Sequence, residues 1–282
     1  MSFLVSVGRM EGQLDADRLH IRVFMAAAIR IDRSWAQTNV CSAYWRLYVN
    51  SSAGAAARLS DGRLYPLGPG AAHFIPAWIR WDCVNREPLD HLYVHFDLVG
   101  IPGALLRDAL PEPRSLPLTP ALAAVMHSLR AALGAGSWLR PSALFSAKSA
   151  VDAALADLVA SLPDSTATRL FAPLRGGSPV APALAAIDGD LGAELTNPDL
   201  ARRCGCSVDH FVRLFRRHVG QTPAQYVLER RVAAAGQALA FSDEPIDGIA
   251  ERLGFPDRFY FSRVFARRMG VPPAAYRRAR HA

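Results

Sequence analysis

Two arginines, Arg213 and Arg263, stand fifty residues apart at matching places in two similar stretches of the chain. Each falls on the polar stripe of a short amphipathic helix. A guanidinium offers its N–H donors in a planar fork, the geometry that pairs with O6 and N7 of guanine in a major groove. Asp209 and Val212 share the stripe of Arg213, and Arg258, Phe259 and Ser262 accompany Arg263. These seven side chains are the ones expected to meet base edges. Arg216, Arg217, Arg267 and Arg268 follow by about a helical turn, where a phosphate backbone would run. Phe259 is costly on a wet surface, and a thymine methyl is its expected partner. The first stretch has Asp209 in that place, so the two boxes of DNA are expected to differ in sequence.

Other chemistry is thinner. His73, His91 and His95 could ligate a metal, but no His-x-His pair with a nearby Glu accompanies them. Two strand residues four apart lie about 13 Å from one another, too far to share one ion. Packing or pocket-lining roles are expected instead. Cys204 and Cys206 bracket Gly205 with only His210 to join them on zinc, so small apolar packing is expected there. Aromatics such as Trp35, Tyr44, Trp45, Tyr48 and Trp81 enrich the N-terminal half, most of them as core. Arg46, His73, Trp78 and His95 are the residues expected to line a small-ligand pocket, which needs aromatic platforms and a few polar anchors. No nucleophile with its base, phosphate-cradling glycine loop or paired carboxylates stand out, so no enzyme, metal or cofactor is expected.

The elements that position the arginines repeat. Leu200-Ala201, Arg203, Gly205, Phe211, Arg213, Phe215, Arg217, Gly220, Pro223 and Tyr226 return as Ile249-Ala250, Arg252, Gly254, Phe261, Arg263, Phe265, Arg267, Gly270, Pro273 and Tyr276. Two copies are too few for a solenoid and imply paired modules. Each copy has the parts of a helix-turn-helix. Thr196 and Asp199 form a capping-box-like start, Gly205 frees the turn, and Ser207 caps a helix over 208–219. Phe211, Leu214 and Phe215 form its inward stripe, matched by Phe261, Val264 and Phe265. Thr222 and Pro223 open a further helix over about 223–240, roughly 27 Å long. It could hold two recognition helices about one DNA turn, ~34 Å, apart.

This stretch resembles the DNA-binding domain of the AraC/XylS family of transcription regulators. The resemblance rests on Ile249-Ala250, Gly254-Phe255, Tyr260-Phe261-Ser262-Arg263-Val264-Phe265, Gly270, Pro273 and Tyr276-Arg277. It covers about 100 residues, and it implies that the positions of Arg213 and Arg263 reach bases. Pro256 stands where the family often has Ser, which moves the expected N-cap to Asp257. Charge agrees independently. Residues 197–282 hold 15 of the 32 basic and 8 of the 25 acidic side chains, so the whole net charge of +7 lies there. Lys148 is the only lysine. An arginine-rich composition cannot explain the asymmetry, since it applies to both halves.

The remaining chain reads as short strands up to about residue 115. Residues 91–98 alternate strictly, with Leu92, Val94, Phe96 and Leu98 on one face. The expected fold is α+β and multidomain, an N-terminal cupin-like β-barrel with dimerisation helices ahead of an all-α double helix-turn-helix domain. The cupin-like likeness rests on Leu67-Gly68-Pro69-Gly70, Phe74-Ile75-Pro76 and His95-Phe96-Asp97. Residues 120–133 carry a helical stripe. Leu144, Val151, Leu155, Leu158 and Leu162 are spaced like a coiled-coil seam, which suits either packing on the barrel or a dimer. Residues 163–182, rich in Pro and Gly, read as a linker between a sensor over 1–162 and a reader over 183–282.

No stretch is apolar enough to span a bilayer, no secretory signal opens the chain, and four Cys without a CxxC pair suit a reducing cytoplasm. The resemblance implies promoter DNA, a small-molecule effector (a sugar is one option), a second copy of the chain and RNA polymerase as partners. A cupin-type metal-dependent enzyme with a DNA-binding tail is the competing class, and an architectural DNA binder without a sensor is a third.

Overall fold

The computed structural model describes residues 19–134, 140–175 and 177–278. Its N-terminal half is built on a five-stranded antiparallel sheet in the order β1 (His20–Ile31), β7 (Leu89–Val99), β2 (Trp45–Asn50), β5 (Ala71–Ile75), β8 (Arg114–Pro117). A second sheet has the order β4 (Leu64–Pro66), β3 (Ala55–Leu59), β6 (Trp81–Asn85). The two face one another across Ile31, Tyr48, Ile75, Trp81 and Leu89. The expected barrel does not form: among the described residues no ladder joins the sheets, and a two-layer sandwich takes its place. The edge strands β8 and β4 have four and three residues, too few to pair along a closing seam.

Helices cover the other face of the large sheet. These are α1 (Gly103–Ala109), α2 (Pro120–Gly134), α3 (Pro141–Ala160) and α4 (Asp164–Phe171). Trp45, Leu47, Phe74, Leu92, Val94 and Phe96 bury against them. Because both sheet faces are covered, every residue of β2 is buried, and the strand shows no alternation in its sequence. Thr119 Oγ1 accepts from the Leu122 N–H, 3.2 Å away, and starts α2, whose Leu122, Met126 and Leu129 point inward.

The heptad-like spacing on α3 serves this same core. Val151, Leu158 and Leu162 are buried within the protomer, and Ala143, Ala147, Ala150 and Ala154 let α2 and the sheet approach. Leu144 and Phe145 face outward.

Residues 163–182 are more structured than their Pro and Gly content implies. They contain α4 and a 3-10 turn, Ala172–Leu174. Leu170 and Leu174 join the N-terminal core, while Val180 joins the C-terminal one. An apolar stripe of only two or three residues is too short to register as a helical period, which hid α4 in the sequence.

Seven helices follow: α5 (Ala181–Gly189), α6 (Asn197–Arg203), α7 (Val208–Val219), α8 (Pro223–Phe241), α9 (Ile246–Arg252), α10 (Arg258–Met269) and α11 (Pro273–Arg278). The two halves of the chain share a core in which Cys41, Ala43 and Tyr44 meet Val232, Leu239, Phe265 and Tyr276. Polar ties reinforce it. Gln237 Nε2 donates to Asp97 Oδ2 at 3.0 Å, and Arg107 pairs with the buried Glu229 at 2.5 Å. Limited proteolysis should therefore cut first beside Arg175, Gly177 and Pro179, which are exposed. Early cuts within α4 would show that this helix is not docked.

Candidate nucleic-acid interface

Two helix-turn-helix units stand side by side, α6 with α7 and α9 with α10. Each turn passes through a glycine in the left-handed region, Gly205 at φ 65° and Gly254 at φ 68°, where a side chain would add strain. Phe211, Phe215 and Val219 of α7 are fully buried, and so are Phe261, Phe265 and Met269 at the corresponding places of α10. An aromatic from the next helix closes each core edge-on: Tyr226 lies 5.7 Å from Phe215, and Tyr276 lies 5.3 Å from Phe265. The sequence repeat is thus a repeat of packing.

The helix starts are fixed by side chains. Thr196 Oγ1 accepts from the Asp199 N–H at the head of α6, 3.3 Å away. Thr222 and Gln225 form a reciprocal capping box on α8, with bonds of 3.3 and 3.0 Å. Asp257 caps α10, its Oδ1 2.7 Å from the Tyr260 N–H, so the Pro256 departure leaves the helix start intact. Ser207 precedes α7 without a side-chain capping bond.

On the opposite stripe Arg213 and Arg263 are exposed, together with Asp209, Arg216, Arg217, Arg267 and Arg268. Among the described residues none of these six arginines is held in an ion pair. Val212 and Ser262 are half-buried beside them. Phe259 is 76 % exposed, more than any other large hydrophobic side chain among the described residues. Arg258 differs from the rest, since its guanidinium lies 3.3 Å from the Asp247 carboxylate on α9. Sequence inspection missed Arg80. From just before β6 its guanidinium donates to the carbonyls of Met269 (3.2 Å) and Arg268 (3.3 Å), at the negative end of the α10 dipole. Nearly 190 residues separate the partners, and no local pattern signals such a bond.

The four residues expected around a ligand do not converge. His73 is buried and engaged at both ring nitrogens, by Ser115 Oγ and the Gly68 carbonyl at 2.8 Å each. Burial draws its pKa down. Trp78 adopts φ 72° and sits where the two halves meet, 6.0 Å from the Arg107 guanidinium. Only Arg46 and His95 come together, on the wall of a cavity of about 270 Å³ between the sheets and α8. His91 is tied to Asn50 Oδ1 at 2.7 Å, and burial with nearby Arg130 and His73 pulls its pKa down to about 4. Among the described residues no group of three His, Cys, Asp or Glu is placed to hold a metal ion. Cys204 and Cys206 pack against the core of the first unit. No described helix is long and apolar enough to cross a membrane.

A chain with two helix-turn-helix units on a shared helix, behind a β-sandwich, is by architecture a DNA-binding protein of the two-headed type. Comparisons with known proteins place it further. The helix-turn-helix domain family matches residues 200–279. MarA of Escherichia coli is 34% identical over 91 residues, which are 32% of this chain and 72% of MarA. The MmsAB operon regulatory protein of Pseudomonas aeruginosa is 38% identical over 109 residues, 38% of this chain and only 36% of the length of that protein. ToxT of Vibrio cholerae, in a structure bound to (E)-4-(8-methylnaphthalen-1-yl)but-3-enoic acid, shares the fold with a TM-score of 0.54 at 12% identity. That match covers 92% of this chain and all of the ToxT chain. The chain belongs to the AraC/XylS family of transcription regulators.

Capping geometry separates the two recognition helices. Asp257→Ala should lower stability by about 1 kcal/mol, the usual worth of a bonded N-cap, and Ser207→Ala should cost measurably less. Denaturant titration of both variants decides this, and equal losses would show that the cap bond at Asp257 contributes nothing.

Proposed function

We propose that the protein is a cytoplasmic, sequence-specific regulator of transcription that reads promoter DNA with α7 and α10 and answers to a small-molecule effector. The observation that carries this is the pair of exposed arginines, Arg213 and Arg263, repeated on two helices anchored to one rod. Helix α8 has 19 residues, about 28 Å at 1.5 Å each. With the width of the flanking turns, that suits major grooves ~34 Å apart on one face of a duplex.

Arg213 and Arg263 each take a guanine, and Asp209, Val212, Phe259 and Ser262 complete the two base-reading stripes. Arg258 joins them once DNA competes with Asp247. Arg216, Arg217, Arg267 and Arg268 hold phosphates. The unlike pair Asp209 and Phe259 makes the site directional rather than palindromic within one protomer.

In this proposal residues 1–162 sense the effector, and the chain between Arg175 and Pro179 is the joint that leads to the reader over 183–282. The sensor is a sandwich that takes the role of a cupin-like barrel. Dimerisation uses Leu144 and its outward neighbour Phe145 on α3, since Val151, Leu158 and Leu162 of that stripe are buried. RNA polymerase is the expected partner at the promoter. An enzyme with a metal barrel is disfavoured by His73 and His91, whose hydrogen bonds within the fold already occupy ring nitrogens a metal would need.

Two substitutions test the assignment of roles. Arg263→Ala should cost ~1–3 kcal/mol of binding and relax one base position in the second box only. Selection on randomised DNA reads this, and an unchanged base preference would place Arg263 on phosphate. Arg217→Ala should weaken binding to all sequences alike and reduce the slope of log affinity against log salt by about 1. A changed base preference with an unchanged slope would contradict the phosphate role.

A further inference from the structure

The second recognition helix ends against a cation from the other half of the chain. Arg80 Nη1 donates to the Met269 carbonyl at 3.2 Å, and Nη2 donates to the Arg268 carbonyl at 3.3 Å. Carbonyls in the last turn of a helix have no partner within it, and the helix dipole favours a positive charge there. The chain then leaves α10 through Gly270 at φ 83°, and the guanidinium lies flat against that glycine. A Cβ on residue 270 would overlap the Arg80 guanidinium nitrogens.

Arg80 is itself held in place. Its Nη1 also donates to Asn39 Oδ1 at 3.0 Å. Asn39 is exposed and has φ 55°, a left-handed conformation that Asn tolerates better than most residues. Its N–H donates to Asp82 Oδ1 at 2.8 Å. The neighbouring backbone is tied as well. Val40 and Trp81 exchange bonds of 2.8 and 3.1 Å, and the Cys83 N–H reaches the Gln37 carbonyl at 2.7 Å. Residues 37–42 thus run as a strap along the entry to β6, with Asn39 beside Arg80. Strain of this kind persists where the surroundings fix it, and here it aims one side chain at the end of α10.

The first reader ends differently. Its C-cap, Gly220 at φ 81°, meets apolar side chains of α1. A Cβ there would lie 3.8 Å from Ala104 Cβ and Leu105 Cδ2, an ordinary contact. The β half therefore grips the two recognition helices unequally, α10 by directed hydrogen bonds and α7 by loose apolar contact.

We infer that Arg80 is a positioning residue for DNA reading: it fixes the angle at which α10 enters the second major groove. The inference rests on the reading of Arg263 as the base contact of the second box, and it places a determinant of that contact in the β half. Arg263 stands about one and a half turns before the residues Arg80 holds, so a tilt at the end of α10 moves its guanidinium. A bidentate pair tolerates little such movement, because hydrogen bonds weaken steeply once out of line. Arg80 makes no DNA contact of its own, since its fork is engaged by Asn39 and the two carbonyls.

Binding by the full chain tests this on an operator selected from randomised DNA with the parent protein. Arg80→Ala should bind that operator roughly tenfold more weakly, the size expected from losing hydrogen bonds to a charged group. In a fresh selection with the variant, the second box should loosen and the first should stay as it was. The slope of log affinity against log salt should not change, because no phosphate contact is lost. Asn39→Gly keeps the left-handed backbone but removes the oxygen that orients Arg80, and it should loosen the same box by a smaller factor. A merely structural role would lower Tm and leave both boxes read as before at temperatures below melting, and that result overturns the inference. So do equal loosening of both boxes, tighter binding by Arg80→Ala, and a salt slope reduced by about 1, which would put Arg80 on phosphate. If Arg80→Ala does not fold, Asn39→Gly decides by the same measurements. A parent protein that selects no sequence sinks the regulator reading, and this inference falls with it. A parent that selects two boxes, both kept unchanged by the variants, removes this inference alone.

Discussion

One guanidinium holds the reader together. Arg231, midway along α8, donates from all three nitrogens to backbone carbonyls: Leu191 at 2.7 Å, Ala193 at 3.0 Å and Gly254 at 2.7 Å. Leu191 and Ala193 lie in the chain that leads into the first helix-turn-helix unit, and Gly254 is the turn of the second. Both units are therefore pinned to the same side chain of the same helix. Gly254 is irreplaceable on two counts. Its φ is positive, and an added Cβ would come within 2.7 Å of Arg231 and 2.6 Å of the Gly192 carbonyl. The spacing of the two recognition helices follows from this clamp together with Tyr226 at one end of α8 and Leu239 at the other, each buried in a different core.

The same helix also leans on the sandwich. Gly236 lies against Ala43, where a Cβ would approach to 3.3 Å, and Gln237 and Glu229 reach Asp97 and Arg107 on either side. Arg80 reaches beyond α8 to the end of α10 itself. Sandwich and reader therefore do not merely hang from a tether. The β half and the helix that carries both helix-turn-helix units thus meet through a packed seam as well as through the connecting chain.

How much of this was legible in the sequence depended on whether the determining partner was near or far along the chain. The reader was legible because its determinants are local and stated twice. Buried Phe211 and Phe261, the two glycine turns, and the caps at Thr196, Thr222 and Asp257 all act within five residues. The sandwich was half legible. Alternation in β7 located a two-faced strand, but closure into a barrel depends on how edges meet, which no local pattern encodes. The ligand residues show the same divide. Arg46 and His95 share one cavity wall, while His73 is engaged by Gly68 and Ser115, and Trp78 sits in the seam between the halves. Arg80, Glu229 and Gln237 carried no signal, because their partners lie 122 to 194 residues away.

On the proposed reading, a rod of fixed length joining two readers has a consequence that neither reader alone would share: the two boxes of DNA must keep their helical phase. On the operator obtained by selection, inserting about half a turn, ~5 base pairs, moves the second box to the opposite face of the duplex. Affinity for that DNA, measured at constant salt, should fall to the level of a duplex carrying one box alone. An affinity unchanged by the insertion would mean that α7 and α10 do not bind adjacent grooves as one unit, and the account built on α8 would fail.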